Sequence, residues 1–423
     1  MFMLDISSDA AQMSRASRRR QTVVVKIADP LLMREINKYH VLETIRCFGR
    51  ISRVEISERT LLSGTTVSAI TAALIEEGLI EAIHTAPTND SQRGRPRVLL
   101  GLVADAAYVA GVKISETQMT ATIADFRGET VAVLQLPIRL ARQAPEVIAD
   151  LIEDALRDCI ASSGVDVSRI KGIGIGVHGI VDPRSGRSHA GPVFGEREVP
   201  LAQMLEARMR MPVKIDKSAH LVALAESWFG YAQQDRSFAV VTLDRTAGLG
   251  LWIEDEIHRG ASGLGPAFGH TKVGSEGRPC SCGQSDCLNT YLTIPEVEEA
   301  LAGASRTEPA RNGAALLAGL AEKADAGDPA AMSTIAVHAE KLGLGLSHVV
   351  NLINPEKIII AVDTPRYGQL LEPALRDSLS ANSFPAHWAA TELIFHTLDD
   401  QMWARGAAAL MLRDIYSAPW TAA

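Results

Sequence analysis

Residues 51–103 read ISRVEISERTLLSGTTVSAITAALIEEGLIEAIHTAPTNDSQRGRPRVLLGLV. The run ISRVEISERTLL has the pattern of a short helix ending near Leu61 and Leu62. Ser63 then stands where an N-cap is expected, ahead of a helix from Gly64 to Glu77. Val67, Ile70, Leu74 and Ile75 recur on one face of that helix at three- and four-residue spacing, and Gly78 closes it. LIEAIHTA and VLLGLV flank the polar tip TNDSQRGRPR and read as the two strands of a hairpin. Upstream, Ile36, Val41, Leu42, Ile45 and Phe48 mark a further helix from Arg34, stopped by Gly49. Helix, helix, turn, helix and β-hairpin in this order is the winged helix-turn-helix layout.

The residues on this frame suit a double-stranded DNA operator. Behind Ser63, the short side chains Thr65, Thr66, Ser68, Ala69 and Thr71 read as the polar face of the Gly64–Glu77 helix. Short side chains let a backbone lie close in the major groove, with hydroxyls serving bases or phosphates. An ordinary solvated Ser/Thr face has the same composition, so the helix alone does not decide. The wing does. Arg93, Gly94, Arg95, Pro96 and Arg97 put three guanidiniums on a proline-stiffened segment that suits a narrow, electronegative minor groove. Arg15, Arg18, Arg19 and Arg20 lie in an N-terminal arm, residues 1–30, expected to be flexible.

Charge agrees in its distribution rather than in its total. The net charge of −8 argues against nucleic acid if taken alone. Residues 1–100 nevertheless carry 14 Lys and Arg against 11 Asp and Glu, while the remainder carries 28 against 39. A weakly basic end on an acidic body confines nucleic-acid contact to that end. No run approaches the roughly 18 apolar residues of a membrane helix, and no signal peptide is apparent, so the cytoplasm is expected.

Of five cysteines, Cys280, Cys282 and Cys287 cluster behind Gly269-His270, whereas Cys47 and Cys159 read as small core residues. One imidazole and three thiolates are the ligand set of a closed tetrahedral zinc site. Gly283 lets the chain turn back so that Cys287 can close the loop. With His270, Cys280, Cys282 and Cys287 occupying all four positions, no place remains for a catalytic water. Such a zinc ion is structural.

From Tyr108 the texture changes. YVAGVKIS, MTATIADF, ETVAVLQLPI, GIGIGVHG, FAVVTL, GLGLWIE and KIIIAVD are strand-like runs with helices between them, in two faintly similar halves near 108–230 and 236–415. The expected organisation is the arm at 1–30, a winged helix-turn-helix at 31–103 and a two-lobed α/β body at 104–423.

Arg34-Glu35-Ile36-Asn37, TLLSGTTVSAI, GRPR, GVKIS with IADFRGE, GVHGIVD, the His-Cys-Cys-Cys site and NPEKIII together resemble the repressor branch of the ROK family, a group of repressors, open reading frames and sugar kinases. The likeness runs over roughly residues 34–412. It implies an actin-like, hexokinase-type body with a sugar effector in its cleft. The departures from the family's pattern imply a loss of kinase chemistry. D-x-G-G-T of the kinases is matched by Lys113-Ile114-Ser115-Glu116-Thr117, and G-T-G-I-G-x-G by Asp244-Arg245-Thr246-Ala247-Gly248-Leu249-Gly250. The family's G-G after N-P-E-x-I-V-I is Ala361-Val362 here. E-N-D-A-N, which supplies the catalytic base, becomes Asp216-Lys217-Ser218-Ala219-His220. Asp216 is expected to point away from the place of that base. The family's sugar-holding carboxylates correspond to Ser218, Ala267 and Asn289, and His178 replaces a proline.

The expected protein is therefore a non-catalytic DNA-binding regulator, a repressor of carbohydrate-related genes. His178, Ser218, Ala267, His270 and Asn289 are the candidates for an effector pocket, whose ligand is an unusual carbohydrate, another small molecule or none. Self-association as a homodimer or tetramer would match an operator built as an inverted repeat with A·T-rich flanks. The rival readings are an active sugar kinase with an accessory DNA-binding domain, and a protein-binding scaffold.

Overall fold

The computed structural model describes residues 30–84, 98–243, 246–292, 297, 313–397 and 400–416 of the chain. Helix α1, Pro30–Phe48, buries Val41, Leu42 and Ile45, and Gly49 follows it at φ 65°. A two-residue strand, β1 (Ile51–Ser52), comes next, where the sequence reading had placed only helix. Helix α2 spans Arg53–Thr60 and starts on a capping box. The Glu55 amide donates to Ser52 Oγ at 3.3 Å, and the Ser52 amide donates to Glu55 Oε2 at 2.9 Å. Helix α3, Gly64–Glu76, is capped by Ser63, which accepts from the Thr66 amide at 3.1 Å. Strands β2 (Ile80–His84) and β3 (Val98–Leu102) pair antiparallel, and β1 joins them in the order β1-β3-β2.

The next stretch builds a five-stranded sheet. Strands β4 (Tyr108–Ile114), β5 (Gln118–Asp125) and β6 (Thr130–Pro137) form an antiparallel meander. β4 and β5 are buried almost throughout, whereas β6 alternates exposed and half-buried residues as an edge strand should. Helix α4 (Pro145–Ser163) leads to β7 (Ile170–Val177). The hairpin β8 (Ile180–Asp182) and β9 (Arg187–Ala190) and helix α5 (Leu201–Met209) precede β10 (Val213–Lys217) and helix α6 (Ser218–Phe229). The sheet order is β10-β7-β4-β5-β6, with β7 and β10 parallel to β4.

A second sheet repeats this plan. Strands β11 (Phe238–Leu243), β12 (Ala247–Ile253) and β13 (Glu256–Ile257) form the meander. After α7 (Asn289–Leu292), α8 (Gly313–Asp325) and α9 (Pro329–Ile353), strand β14 (Lys357–Val362) pairs parallel to β11. Helices α10 (Pro365–Asn382) and α11 (Pro385–Ala390) lead to β15 (Glu392–Thr397), parallel to β14. Reading β15-β14-β11-β12-β13 against β10-β7-β4-β5-β6 gives the same order and the same strand directions. The faint sequence repeat is a duplicated topology.

The last helix, α12 (Asp400–Tyr416), departs from chain order. Residues 235–397 form one compact unit, while α12 belongs to the other, with everything from residue 30 to 234. The glycines of β4 and β7 explain how α12 lies on the first sheet. A Cβ at Gly111 would stand 2.1 Å from the Ala404 carbonyl oxygen, and one at Gly174 would stand 1.8 Å from that of Ala407. Each unit has its own core. Ile123, Ile152, Ile173 and Ile215 lie in the first, and Val241, Leu320, Leu346 and Ile360 in the second. Cys159 is buried as expected; Cys47 is only half-buried, with Arg46 and Glu43 beside its sulfur.

Candidate functional site

Helix α3 presents Ser63, Thr65, Ser68 and Ala69 to solvent, with Thr66 half-buried. Three of the hydroxyls are already tied locally. Ser63 Oγ lies 2.8 Å from Thr66 Oγ1, and Ser68 Oγ donates to the Gly64 carbonyl at 2.7 Å. Thr71 departs from its expected place on the polar face. It is fully buried, donates to the Ser68 carbonyl at 3.2 Å and accepts from Arg53 Nε at 2.9 Å. Thr71 therefore fixes α2 to α3 and offers nothing to a groove. Its position four residues after Val67 and three before Leu74 puts it on the apolar stripe, a signal the sequence already carried. Ala72, which the sequence reading passed over, takes its place on the exposed face at three residues from Ala69. Arg93, Gly94, Arg95, Pro96 and Arg97 lie outside the described residues, as do the arm at 1–29 and Asp244 and Arg245 of the glycine-loop match.

In the second unit, His270, Cys280, Cys282 and Cys287 converge. Their ligand atoms all lie within 4.8 Å of one another. Cys282 Sγ is 3.8 Å from Cys287 Sγ, and Cys280 Sγ is 3.5 Å from His270 Nδ1. A tetrahedral site with metal–sulfur bonds of about 2.3 Å and a metal–nitrogen bond of about 2.0–2.1 Å has edges of about 3.8 Å and about 3.5 Å for such pairs. Those two pairs match the expected edges, and the four side chains form a group that could hold a metal ion.

The local chain explains the spacing. Gly283, at φ 87°, turns the loop so that its amide donates to the Cys280 carbonyl at 3.0 Å, and the Cys280 amide donates to the Gln284 carbonyl at 2.8 Å. Asp286 accepts from the Gly277 and Arg278 amides at 3.0 and 2.9 Å and from the Tyr291 hydroxyl at 3.2 Å. His270 stands on a single 3-10 turn, Phe268–His270. Burial first, then the neighbouring sulfurs of Cys282 and Cys280, push the Cys287 thiol up to about 12. Three sulfurs this close ionise together only with a cation among them.

The candidate effector residues divide between the two units. In the first, Ser218 is buried at the start of α6 with its Oγ 3.5 Å from His178 Nδ1, and His178 stacks on Trp403 at 5.9 Å. Lys113 pairs with Asp400 and lies 4.3 Å over the Trp403 ring. Asp216 is wholly buried, accepting from its neighbour's amide at 2.7 Å and meeting His220 Nδ1 at 2.8 Å. In the second unit, Ala267 and His270 are exposed and Asn289 is buried. Asn289 Oδ1 accepts from the Ala247 amide at 3.0 Å, and a Cβ on Gly269 would sit 2.4 Å from its amide group. Asn289 is thus partly committed to holding β12, a role the sequence reading did not assign.

The ROK family profile matches residues 109–414, and a winged helix-turn-helix DNA-binding profile matches residues 34–81. A xylose repressor from Caldicellulosiruptor bescii is 28% identical over 404 residues, covering 92% of this chain and 98% of that protein. The DNA-binding transcriptional dual regulator NagC of Escherichia coli K12 is 27% identical over 391 residues, covering 90% and 93%. A crystal structure of a ROK family transcriptional regulator, a homologue of the E. coli MLC protein, superimposes with a TM-score of 0.75 over 91% of this chain and 97% of that one. At 23% identity that likeness concerns the fold, which has a helix-turn-helix domain followed by a sugar-kinase-like body.

Proposed function

The chain belongs to the ROK family, and from that membership we propose that it is a sequence-specific DNA-binding repressor of carbohydrate-related genes, acting in the cytoplasm. The observation that carries this reading is the complete helix-turn-helix ahead of the body, with a small-residue face on α3 open to solvent. The regulators it resembles align through both parts of the chain. Thr65, Thr66, Ser68 and Ala69 read base edges, aided by Ser63 at the helix start. Arg93, Arg95 and Arg97, with Gly94 and Pro96 shaping the segment, hold the adjacent minor groove. Capture of genomic fragments by the full-length protein tests this. Enrichment of fragments sharing one sequence motif is expected, and uniform recovery would overturn it.

The body does not transfer phosphate. A sugar kinase needs a carboxylate beside the attacking hydroxyl. Ser218 stands where the resemblance puts that carboxylate, and Asp216 is spent on His220 and a backbone amide. Lys113, at the family's first phosphate-site carboxylate, is paired with Asp400. A coupled assay across hexoses and pentoses should give background rates only; turnover abolished by Ser218→Ala would refute this.

Zinc is the metal that fits His270, Cys280, Cys282 and Cys287, because one nitrogen and three sulfurs at tetrahedral spacing match its softness and geometry. When bound, it fixes the loop between Phe268 and α7 and supplies no catalytic water. His178 and Ser218 in the first unit, and Ala267, His270 and Asn289 in the second, remain the candidate effector residues. With fewer carboxylate acceptors than the kinases, they suit an unusual carbohydrate, another small molecule or none. Two copies of the chain reading an inverted repeat supply the affinity that one winged domain lacks.

A further inference from the structure

A solvent-open cavity of about 660 Å³ lies on the first unit, where α1 and the wing strands meet the first sheet. It falls within the usual size range of small-molecule sites, roughly 300–1,000 Å³. Its chemistry is set by four guanidiniums, Arg46, Arg50, Arg127 and Arg405. They come from three separate parts of the fold: α1 and the turn after it, the β5–β6 turn, and α12.

The four are not equally committed. Glu43 holds Arg46 in a two-pronged pair at 2.9 and 2.5 Å, over the Trp228 ring at 4.2 Å. Arg127 gives Nε and Nη2 to the Leu102 carbonyl at 2.9 and 2.6 Å, and meets the carboxylate of Glu81 only at 3.4 Å. Arg405 gives the same two nitrogens to the Gly128 carbonyl at 3.1 and 3.0 Å, with Glu129 at 3.6 Å. The side chains of Glu81 and Glu129 are 54% and 70% exposed, so water screens both loose pairs. Arg50 is exposed and makes no hydrogen bond or ion pair among the described residues. Carbonyls orient a guanidinium without neutralising it. Four guanidiniums thus face Glu43 and two water-screened carboxylates, with Asp125 behind the β5–β6 turn, and Arg50 is the one whose fork is not engaged among the described residues; its geometry matches oxyanions.

We propose that this cavity is a binding site for a small organic dianion, bridging Arg50 beside the DNA-reading helices to Arg405 on the last helix. The shared chemistry is a phosphate monoester or a dicarboxylate, and inorganic phosphate alone underfills the space. The site is separate from the effector candidates above and does not rest on the DNA-binding reading. Such an occupant spans the joint that Arg127 already closes on the wing, so its binding stiffens the attachment of the DNA-reading domain.

Titration calorimetry of the full-length zinc-loaded chain with glycerol 3-phosphate and with succinate, at ionic strength matched by sodium chloride, tests the site. Saturable binding of one of the two is expected, and which one binds identifies the oxyanion. Arg50→Gln and Arg405→Gln should each weaken that binding about tenfold, the effect of removing one charged hydrogen bond. Arg50→Gln removes no hydrogen bond or ion pair among the described residues, so a folding defect does not readily imitate the loss. No saturable heat with either dianion, or equal affinity in the wild type and both variants, would overturn the proposal.

Discussion

Replacing Cys280 with serine removes one of the four proposed zinc ligands while changing little else, since Cys280 is half-buried and its backbone contacts to Gln284 and Gly283 do not involve the side chain. The remaining His270, Cys282 and Cys287 keep their places, with the 3.8 Å sulfur–sulfur edge intact. Structural zinc binds its sites with about 10–16 kcal/mol of apparent free energy. An even division over four ligands puts the missing thiolate at roughly 3 kcal/mol, or about two decades in zinc affinity. Because that binding free energy is also folding free energy, the second unit should lose comparable stability and melt several degrees earlier. The assay is metal analysis of dialysed protein, then competition against a chromophoric chelator and thermal unfolding. Wild type should carry one zinc per chain, and chelated wild type should melt below the zinc-loaded variant until zinc restores it. A wild type without stoichiometric zinc, or a variant with unchanged affinity, would refute the tetrahedral assignment.

Three further outcomes follow from particular contacts. Thr71→Val keeps the shape but removes the acceptor of Arg53, so it should cost about 1–3 kcal/mol in denaturant unfolding. The same variant should leave base preference unchanged, whereas Ser68→Ala or Ala69→Ser should alter it in a selection from random DNA. Burial lowers His338 to about 4 from an ordinary 6.5, so the unfolded chain binds a proton that the folded chain refuses as pH falls through that window. Stability of the second unit should therefore decline from about pH 6.5 to about pH 4, by roughly 3 kcal/mol in all. His338→Gln should flatten that slope, and an unchanged slope in urea titrations would contradict it. Gly174→Ala would press a methyl into the Ala407 carbonyl, and the protein should fail to accumulate in soluble form.

Local signals carried much of the fold. The cap at Ser63, the stop at Gly78 and the alternating hairpin named the helix-turn-helix because each acts within a few residues. The cysteine spacing pointed to the convergence of His270, Cys280, Cys282 and Cys287 for the same reason. Strand β1 escaped because two residues carry no period, although Ser52-Arg53-Val54-Glu55 spells the capping box that begins α2. Residue type alone puts Thr71 on the polar face, whereas its helical position, between Val67 and Leu74, puts it inside. What sequence could not supply was pairing over distance. Lys113 meets Asp400 across 287 positions, and nothing in α12 announces that it crosses back to the first sheet. Lost carboxylates at Ser218, Ala267 and Asn289 are what the family resemblance implies. That Asn289 and Asp216 are committed to internal bonds required coordinates.

Reading of DNA by two symmetric copies of the chain is the proposal on which the inverted-repeat operator rests. Its most direct test is a footprint on a captured genomic fragment, repeated across salt concentrations with wild type and Arg95→Ala. The account predicts two protected half-sites in inverted orientation, one helical turn or a multiple apart. It also predicts that Arg95→Ala weakens binding to every sequence alike and lowers the salt slope, by about one for each arginine removed from each phosphate contact. A single asymmetric half-site, or an Arg95→Ala protein that binds with unaltered affinity and slope, would contradict it.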